Sequence, residues 1–522
     1  MRINEIFTLA GITIPNRWEN LDTEITGLEY DSRKVSAGKI FYAIKGINTN
    51  GHDFIGRAIE NGAVAIVGNQ AIHVDEVPYI RVVDARIALA NSAAAFHGFP
   101  ARALNVIGVT GTDGKTTTVN LIHRILVAAG IRAGMISTVN AVVGDEEIDT
   151  GFHVTTPEAP TIQALLRKMT DYGLTHVVLE ATSHGLDQRR VTACEIDIAV
   201  FTNITHEHLD YHGDYDGYFD AKFRLAQELL LTRPKQGFPQ RIAIINRDDI
   251  SFDRLATRLS HSKYRKIQKI PYGRQSGLPV SAEEVITDEH GVRFITVIEG
   301  KKYQVVSPLM GEYNVHNILA AIAATAQGLG LAMEVVLQGI ASLESVSGRM
   351  EKIDLGQNFL AIVDFAHTPN ALKVALQTAR KMTTGKVITV FGSAGLRDRK
   401  KRRMMAAESI CHADISIMTA EDPRTENLAD ILAEMADESL RNGGVENRNF
   451  YVIPDRGDAI RKAVHLAQTN DLVIACGKGH EQSMCFGETE YAWDDRQAMK
   501  AALSELLGIF GPPMPVLPTS SI

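Results

Sequence analysis

The sequence predicts an α/β protein of three domains, and three observations carry that expectation. The 522 residues exceed what one hydrophobic core serves. Apolar runs of strand length alternate with helical patterns along nearly the whole chain. That rhythm breaks at a Gly- and Pro-bearing joint, and again at a stretch of shorter, alternating strands. Hydrophobic residues make up 45% and charged residues 22%, an ordinary globular balance.

In residues 1–100 the runs KIFYAI and GAVAIVG alternate with helical patterns such as HDFIGRAIENG, and YIRVVD and the Ala-rich ARIALANSAAAFHGFP follow. FHGFPARALN marks the junction with a central domain, residues 101–345. There LNVIGVTG, THVVLEATSHG, IDIAVFTNIT and RIAIINRDD read as parallel strands buried on both faces. Around 260–310, VRFITVIEGKKYQVV alternates as an antiparallel layer would, and NVHNILAAIAATAQGLGL is helical. After SVSGRM the α/β rhythm restarts through FLAIVDFAHTP, KVITVFGSAG, ADISIMTAED, NFYVIPD and DLVIACGKGHE, predicting a Rossmann-like third domain over residues 346–510. The Pro-rich GPPMPVLPTSSI, residues 511–522, is expected to be a flexible, unpacked tail.

The net charge of -8 argues against a general affinity for nucleic acid, which needs a basic face. Cys194, Cys411, Cys476 and Cys485 form no CxxC pair and read as idle or buried thiols in a reducing compartment. The N-terminus breaks its apolar pattern too early for a signal peptide, and no apolar run reaches about 18 residues. A cytoplasmic protein with no membrane partner is the expectation.

The stretch GVTGTDGKTTT, Gly108–Thr118, lies between a strand pattern and a helix pattern. A full phosphate-binding loop begins with a glycine five positions before Gly114, where this chain has Val109. Gly111, Gly114, Lys115 and Thr116 nonetheless occupy the right context, which favours a variant phosphate cradle over a turn with an incidental lysine. Lys115 would reach terminal phosphates and Thr116 would ligate Mg²⁺. Glu180 ends a strand at a carboxyl edge, where α/β sheets place ligands. THEHLDYHG gathers His206, Glu207, His208, Asp210 and His212. Glu180 and His208 are the expected Mg²⁺ ligands, with a zinc cluster or a solvated polar loop as the competing readings.

Lys222 lies in an apolar helix pattern, where a lysine ordinarily snorkels to solvent. Arg349, in SGRME, reads either as a phosphate contact or as an interdomain arginine. Asp364 and His367 stand at a strand end and fit either ligand binding or capping. Arg397–Arg403 holds six basic residues in seven positions, read as a solvated helix start or an anion pocket. EDPRTE and CGKGHE are further strand-end loops on the same edge.

Taken in order, DSRKVSAGKIF, TGTDGKTTT, EATSHGLDQRRV, FTNITHEHLDYHG, GEYNVHNILAA, SGRME, DFAHTPNAL, EDPRTE and GKGHE resemble the Mur ligase family of peptidoglycan synthesis, and within it the tripeptide-synthetase branch. The resemblance runs from about residue 25 to residue 510. It implies a UDP-substrate-binding first domain, a P-loop-type ATPase in the centre and a C-terminal domain that binds an incoming amino acid. The family loop lacks the first glycine, which accounts for Val109, while Asp113 stands where most relatives carry asparagine.

The resemblance implies that Tyr30, Ser32, Ile47, Asn48 and Thr49 hold the uridine diphosphate end. Thr155, Thr156, Thr182, Gln188 and Arg190 would contact the muramoyl portion. Gly111, Thr112, Asp113, Gly114, Lys115, Thr116 and Thr117 would bind ATP phosphates, with Asn314, Asn317, Arg349 and Asp364 as further ATP contacts. Lys115, Glu180, His208 and Lys222 form the implied catalytic set, with Thr116, Glu180, His208 and a carboxylated Lys222 at the metal. Arg397, Asp422, Arg424, Gly477 and Glu481 would receive the amino acid.

The implied reaction is ATP-driven amide formation on the D-glutamate side chain of UDP-MurNAc-L-Ala-D-Glu, through an acyl phosphate. Arg424 suits a distal carboxylate and favours meso-diaminopimelate. Asp422 stands where asparagine is usual and would favour an ammonium, which keeps L-lysine and L-ornithine as runners-up. A monomer is expected. A folylpolyglutamate synthetase should lack the first domain and EATSHGLDQRRV; a non-catalytic nucleotide-binding scaffold should lose Lys115, Glu180, His208 or Lys222; a zinc hydrolase built on HEHLDYH should work without ATP.

Overall fold

The computed structural model describes residues 1–15, 21–46, 49–148, 156–205, 207, 209–235, 237, 241–288 and 290–520. The chain forms two compact units, Met1–Ser281 with Leu319–Val336, and Ala282–Ile318 with Leu337–Ile522.

The first unit opens with a parallel sheet of β1 (Gly27–Glu29), β2 (Lys39–Ala43), β3 (Ala65–Gly68) and β4 (Tyr79–Arg81), in that order. Ile40, Tyr42, Ala65 and Val67 face a core completed by Ile3, Ile6 and Phe7 of the first helix. Asp84 starts the helix Ala85–Phe96 by accepting the Arg86 and Ile87 N–H groups at 2.8 and 3.1 Å.

A second sheet follows, built from β5 (Asn105–Thr110), β6 (Ala133–Ile136), β7 (Ala141–Val143), β8 (Glu146–Ile148), β9 (His176–Glu180), β10 (Ile198–Phe201), β11 (Arg241–Asn246) and β12 (Ile267–Gly273). Its order is β12-β11-β10-β5-β9-β6-β7-β8, with β5 parallel to both β9 and β10. Buried runs such as Val106, Ile107 and Val109 are what a sheet covered on both faces requires. Residue 100 lies within the first compact unit. The helix Ala85–Phe96 packs on the helix Ala159–Asp171, which ties the small sheet to the larger one.

β13 (Val280–Asp288) pairs with β12 and carries the chain past Ser281 into the second unit. There β14 (Gly291–Ile298) and β15 (Lys301–Ser307) form the antiparallel layer that their alternation predicts. The main sheet of this unit comprises β16 (Glu351–Lys352), β17 (Leu360–Asp364), β18 (Val387–Phe391), β19 (Ile415–Met418), β20 (Phe450–Val452) and β21 (Leu472–Cys476). Their order is β16-β17-β21-β18-β19-β20, and only β16 runs antiparallel. Apolar cores cover both faces.

The C-terminal tail is not unpacked. Leu517 lies in the core that contains Trp493 and is 3% exposed, with Met514 packed against the same cluster. Thr519 and Ser520 donate to Asp455 Oδ2 at 2.9 and 2.8 Å. Prolines reduce the entropy cost of ordering such a segment, and two apolar anchors suffice to dock it. Among the described residues no helix is long and apolar enough to cross a membrane.

Candidate active site

Val109 lies inside β5, in register with Glu180 on β9 and Val200 on β10. A glycine there would serve nothing, because the loop begins only after Thr110. Gly111 is required by close approach: a Cβ would sit 1.7 Å from the Thr202 hydroxyl oxygen. Gly114 turns the chain into the helix Lys115–Ala128 with a φ of 79°, a conformation that glycine adopts without strain.

The loop is clamped through its backbone. The Thr112 N–H donates to the Asn203 carbonyl at 2.8 Å, and the Asp113 N–H donates to Asn203 Oδ1 at 2.8 Å. The Asp113 carbonyl accepts from the Thr202 hydroxyl at 2.6 Å and from Asn203 Nδ2 at 3.2 Å. Asp113 itself is exposed, and none of these clamps uses its carboxylate. An aspartate in place of asparagine therefore leaves these backbone clamps available and changes the loop's charge.

Behind the loop, the Thr116 hydroxyl donates to both Glu180 oxygens, at 3.2 and 3.0 Å, and the Thr138 N–H donates to Glu180 Oε2 at 3.1 Å. Glu180 is 2% exposed, and among the described residues no basic side chain forms an ion pair with it. A buried carboxylate beside a hydroxyl at a phosphate loop is an oxygen donor set that fits Mg²⁺. Lys115 is half-buried and donates to the Thr112 carbonyl at 2.8 Å.

Lys222 does not snorkel. It sits on the helix Tyr215–Leu231 at 1% exposure and donates to the Gly111 carbonyl at 2.6 Å, with Nζ 4.6 Å from the Tyr218 ring centre. The face carrying Tyr218, Ala221, Lys222 and Leu225 is buried, so its stem has no route to water. Burial and then Lys115 push its amine well below the usual lysine range, against the opposing pull of Glu207, Asp113 and Glu180.

His206 and His208 lie outside the described residues, and so does the side chain of Asp210. Among the described residues no three His, Cys, Asp or Glu side chains gather as a metal centre.

A second cluster forms around Arg190. Its Nη1 donates to the Thr156 carbonyl at 2.6 Å, while Nη2 donates to Gln188 Oε1 at 2.7 Å and pairs with Glu158 at 2.7 Å. Thr156 and Thr182 share a hydroxyl contact of 2.9 Å. Tyr30 joins this cluster: burial pushes its phenol up to about 12, followed by the charge of Glu158, with Arg190 opposing. Ser32 is buried, its carbonyl accepting from Asn61 at 2.9 Å, and Thr49 is exposed. Ile47, Asn48 and Thr155 lie outside the described residues.

In the second unit Asn317 Nδ2 donates to Asn314 Oδ1 at 2.8 Å, and Asn314 Nδ2 to the Met310 carbonyl at 2.7 Å. The Arg349 guanidinium lies 4.6 Å over the Phe365 ring, and its buried Nε has no hydrogen-bond partner among the described residues. Asp364 accepts the N–H groups of Met350 and Ala366 at 2.7 and 2.8 Å. Burial raises its pKa and Arg349 opposes the rise.

The loops after β18, β19 and β21 meet at one carboxyl edge, because these strands are parallel neighbours. Lys478, wholly buried, pairs with Asp422 at 3.0 Å and with Glu481 at 2.5 Å. Asp422, expected to draw an ammonium, pairs with that of Lys478, which it shares with Glu481. Arg424 spends one donor on the Gly395 carbonyl at 3.3 Å, and Arg397 is exposed. Leu396, Asp422 and Arg424 hold φ values of 56°, 40° and 53°, backbone strain of the kind that collects at binding loops.

The basic run divides. Arg402 is buried and forks Glu426, with Nη1 at 2.7 Å, and Arg399 pairs with Glu434. Sequence reasoning assigned no role to Glu421, whose pKa burial pushes up to about 7 and whose Oε2 has no hydrogen-bond partner among the described residues. It missed Lys478, Glu158 and Asn203 as well. Glu421 and Lys478 lie within the strand-end motifs, so position was visible and partnership was not.

Residues 24–104 match the catalytic domain of the Mur ligase family, residues 109–325 the Mur ligase middle domain and residues 348–479 the Mur ligase glutamate ligase domain. The chain is 40% identical over 495 residues to the UDP-N-acetylmuramoyl-L-alanyl-D-glutamate--2,6-diaminopimelate ligase of Geobacter sulfurreducens, covering 92% of this chain and 95% of that one. It is 40% identical to a UDP-N-acetylmuramyl-tripeptide synthetase of Roseiflexus sp., covering 97% and 99%. A solved UDP-N-acetylmuramoyl-L-alanyl-D-glutamate--2,6-diaminopimelate ligase superposes with a TM-score of 0.67 at 29% identity, covering 97% of this chain and all (100%) of that one.

Proposed function

The chain belongs to the Mur ligase family, and from that premise we propose that it is an ATP-dependent ligase adding meso-diaminopimelate to UDP-MurNAc-L-Ala-D-Glu. The observation that carries the reading is the convergence of Thr116, Glu180 and Lys222 on the Gly111–Gly114 loop.

A γ-carboxylate oxygen of the D-glutamate attacks the γ-phosphorus of ATP, and ADP leaves. The amine of the incoming amino acid then attacks the acyl carbon. The C–O bond to phosphate breaks, inorganic phosphate departs, and the amine loses a proton. N–H groups at the helix start, from Gly114 to Thr117, and the Lys115 ammonium hold the phosphates and offset the charge on the moving phosphoryl group, while Gly111, Thr112 and Asp113, the last two with their N–H groups spent on Asn203, shape the loop around them. Asn314, Asn317, Arg349 and Asp364 complete the ATP contacts. Thr116, Glu180, His208 and Lys222 would hold Mg²⁺, which supplies further charge neutralisation at the phosphoryl oxygens. In its neutral form the buried Lys222 amine would add CO₂ through nitrogen with loss of a proton, and the carbamate would supply the oxygen ligand that an ammonium cannot.

Arg190 with Thr155, Thr156, Thr182 and Gln188 holds the muramoyl portion, and Tyr30, Ser32, Ile47, Asn48 and Thr49 hold the uridine diphosphate. Arg397, Asp422, Arg424, Gly477 and Glu481 receive the amino acid. Arg424, which spends one donor on the Gly395 carbonyl, keeps others that suit the second carboxylate of diaminopimelate. The requirement for ATP supports a cytoplasmic location.

The test is phosphate release with UDP-MurNAc-L-Ala-D-Glu, ATP and a panel of meso-diaminopimelate, L-lysine and L-ornithine. Diaminopimelate is expected to give the highest kcat/KM. Absence of release with every amino acid would overturn the ligase reading, and preference for lysine would overturn the substrate.

A further inference from the structure

The loops that begin at Glu421 and Gly477 rest on one side chain. Arg456 is the first residue of the helix Arg456–Leu466, and its side chain is fully buried at 0% exposure. Its Nη1 donates to the Ala420 carbonyl at 3.2 Å and its Nη2 to the Cys476 carbonyl at 2.8 Å. These carbonyls belong to the residues immediately before Glu421 and Gly477. Asp495 takes the other side of the fork, through Nε at 2.7 Å and Nη2 at 2.6 Å, and also accepts the Trp493 indole N–H at 2.9 Å. A planar guanidinium with its donors so engaged has one position available. The spacing between the two loop origins follows from it.

Arg456 is set in turn by Asp455, the cap of its helix. Asp455 Oδ1 accepts the Asp458 N–H at 2.9 Å. Its Oδ2 accepts both hydroxyls of the C-terminal segment, Thr519 at 2.9 Å and Ser520 at 2.8 Å. Met514 lies so close to Gly457 that a Cβ there would be 3.1 Å from its sulfur. Leu517 enters the core that holds Trp493. Residues 514–520 therefore lie over the start of the helix and satisfy its cap.

We propose that Arg456 is a positioning residue for the incoming amino acid, and that the segment Met514–Ser520 is the strap that holds it in register through Asp455. The proposal rests on reading the two loops as the amino-acid site. Arg456 touches no reactant in this account; it acts through the Ala420 and Cys476 carbonyls. Its loss should change the fit of the amino acid and leave the nucleotide contacts of the first unit as they are.

The experiment measures phosphate release by the full chain while the amino acid, ATP and UDP-MurNAc-L-Ala-D-Glu are varied separately. Four proteins are compared with the parent: a chain ending at Phe510, Arg456→Lys, the double variant Thr519→Ala/Ser520→Ala, and the conservative double variant Thr519→Ser/Ser520→Thr. A displaced site should raise the KM for the amino acid about tenfold in the first two and about threefold in the third, with ATP and UDP-substrate KM within about twofold. The conservative variant keeps its hydroxyls and should retain the parental KM. Trp493 fluorescence reads strap docking in each protein. Unchanged amino-acid KM in a folded Thr519→Ala/Ser520→Ala variant, or equal rises for all three substrates, would overturn the strap. An inactive parent chain would instead remove the ligase reading beneath it. Should the chain ending at Phe510 fail to fold, the Thr519→Ala/Ser520→Ala variant decides.

Discussion

Lys222 and Glu421 show how burial alone changes what an ionisable side chain can do. Burial, and then Lys115, hold the Lys222 amine well below the usual lysine range, which favours its neutral form relative to an exposed lysine. If Lys222 holds the metal as proposed, replacing it with alanine should lower kcat about 100-fold or more, read by phosphate release at saturating substrates. Equal activity would exclude the role. Glu421 is displaced in the opposite sense, from a model-peptide value of 4.5 to about 7, by burial against the pull of Lys401, Arg456 and Lys478. Between those two pH values the folded state retains a proton that the unfolded state has lost, so stability falls as pH rises across that window and is level above it. Glu421→Gln should remove that loss. Its stability relative to the parent should be greater at pH 8 than at pH 5, by on the order of 1 to 3 kcal/mol in urea titrations. A difference that does not vary with pH would contradict the buried, raised carboxyl.

The phosphate loop is an element whose geometry comes from its neighbours. Thr202 and Asn203, at the end of β10, hold it by its backbone, and Gly111 exists because Thr202 leaves no room for a Cβ. Gly111→Ala should therefore raise the Kd for ADP by about 100-fold in calorimetry, through displacement of the loop by an ångström or so. The rest of the first unit should keep its far-UV signature. Asp113→Asn should leave the clamp to Thr202 and Asn203 unchanged, because those hydrogen bonds are made by the Asp113 backbone. The basic helix start at Arg399 is a second case: Arg402 turned inward to Glu426, while Asp398 caps the helix at Lys400 N–H, 2.9 Å.

Over the whole molecule the candidate residues run from Tyr30 to Glu481 and are divided between two compact units. The first holds the phosphate loop, the Glu180–Lys222 group and the Arg190 cluster; the second holds Arg349, Asp364 and the amino-acid loops. An enzyme whose reactants are drawn from so many elements should not turn over ATP alone. Omitting either UDP-MurNAc-L-Ala-D-Glu or the amino acid should reduce steady phosphate release to about 1% of the full rate, since the acyl phosphate must be both formed and consumed. Release at a comparable rate without the UDP-substrate would mean that water, rather than a carboxylate, accepts the phosphoryl group.

Sequence by itself determined the α/β class, the strands, the phosphate loop and the order of the motifs, because periodicity and glycine placement are local properties of the chain. It put Thr116 and Glu180 at one Mg²⁺ from loop context and strand-end position, added Lys222 only through family resemblance, and the tail's composition pointed the wrong way. Tertiary structure alone decided which charges meet. Lys478 stands between Asp422 and Glu481, Lys222 is sealed beneath Gly111, and the tail closes over Asp455. The reason is physical: burial and pairing depend on what lies within a few ångströms, and those neighbours come from residues far apart along the chain.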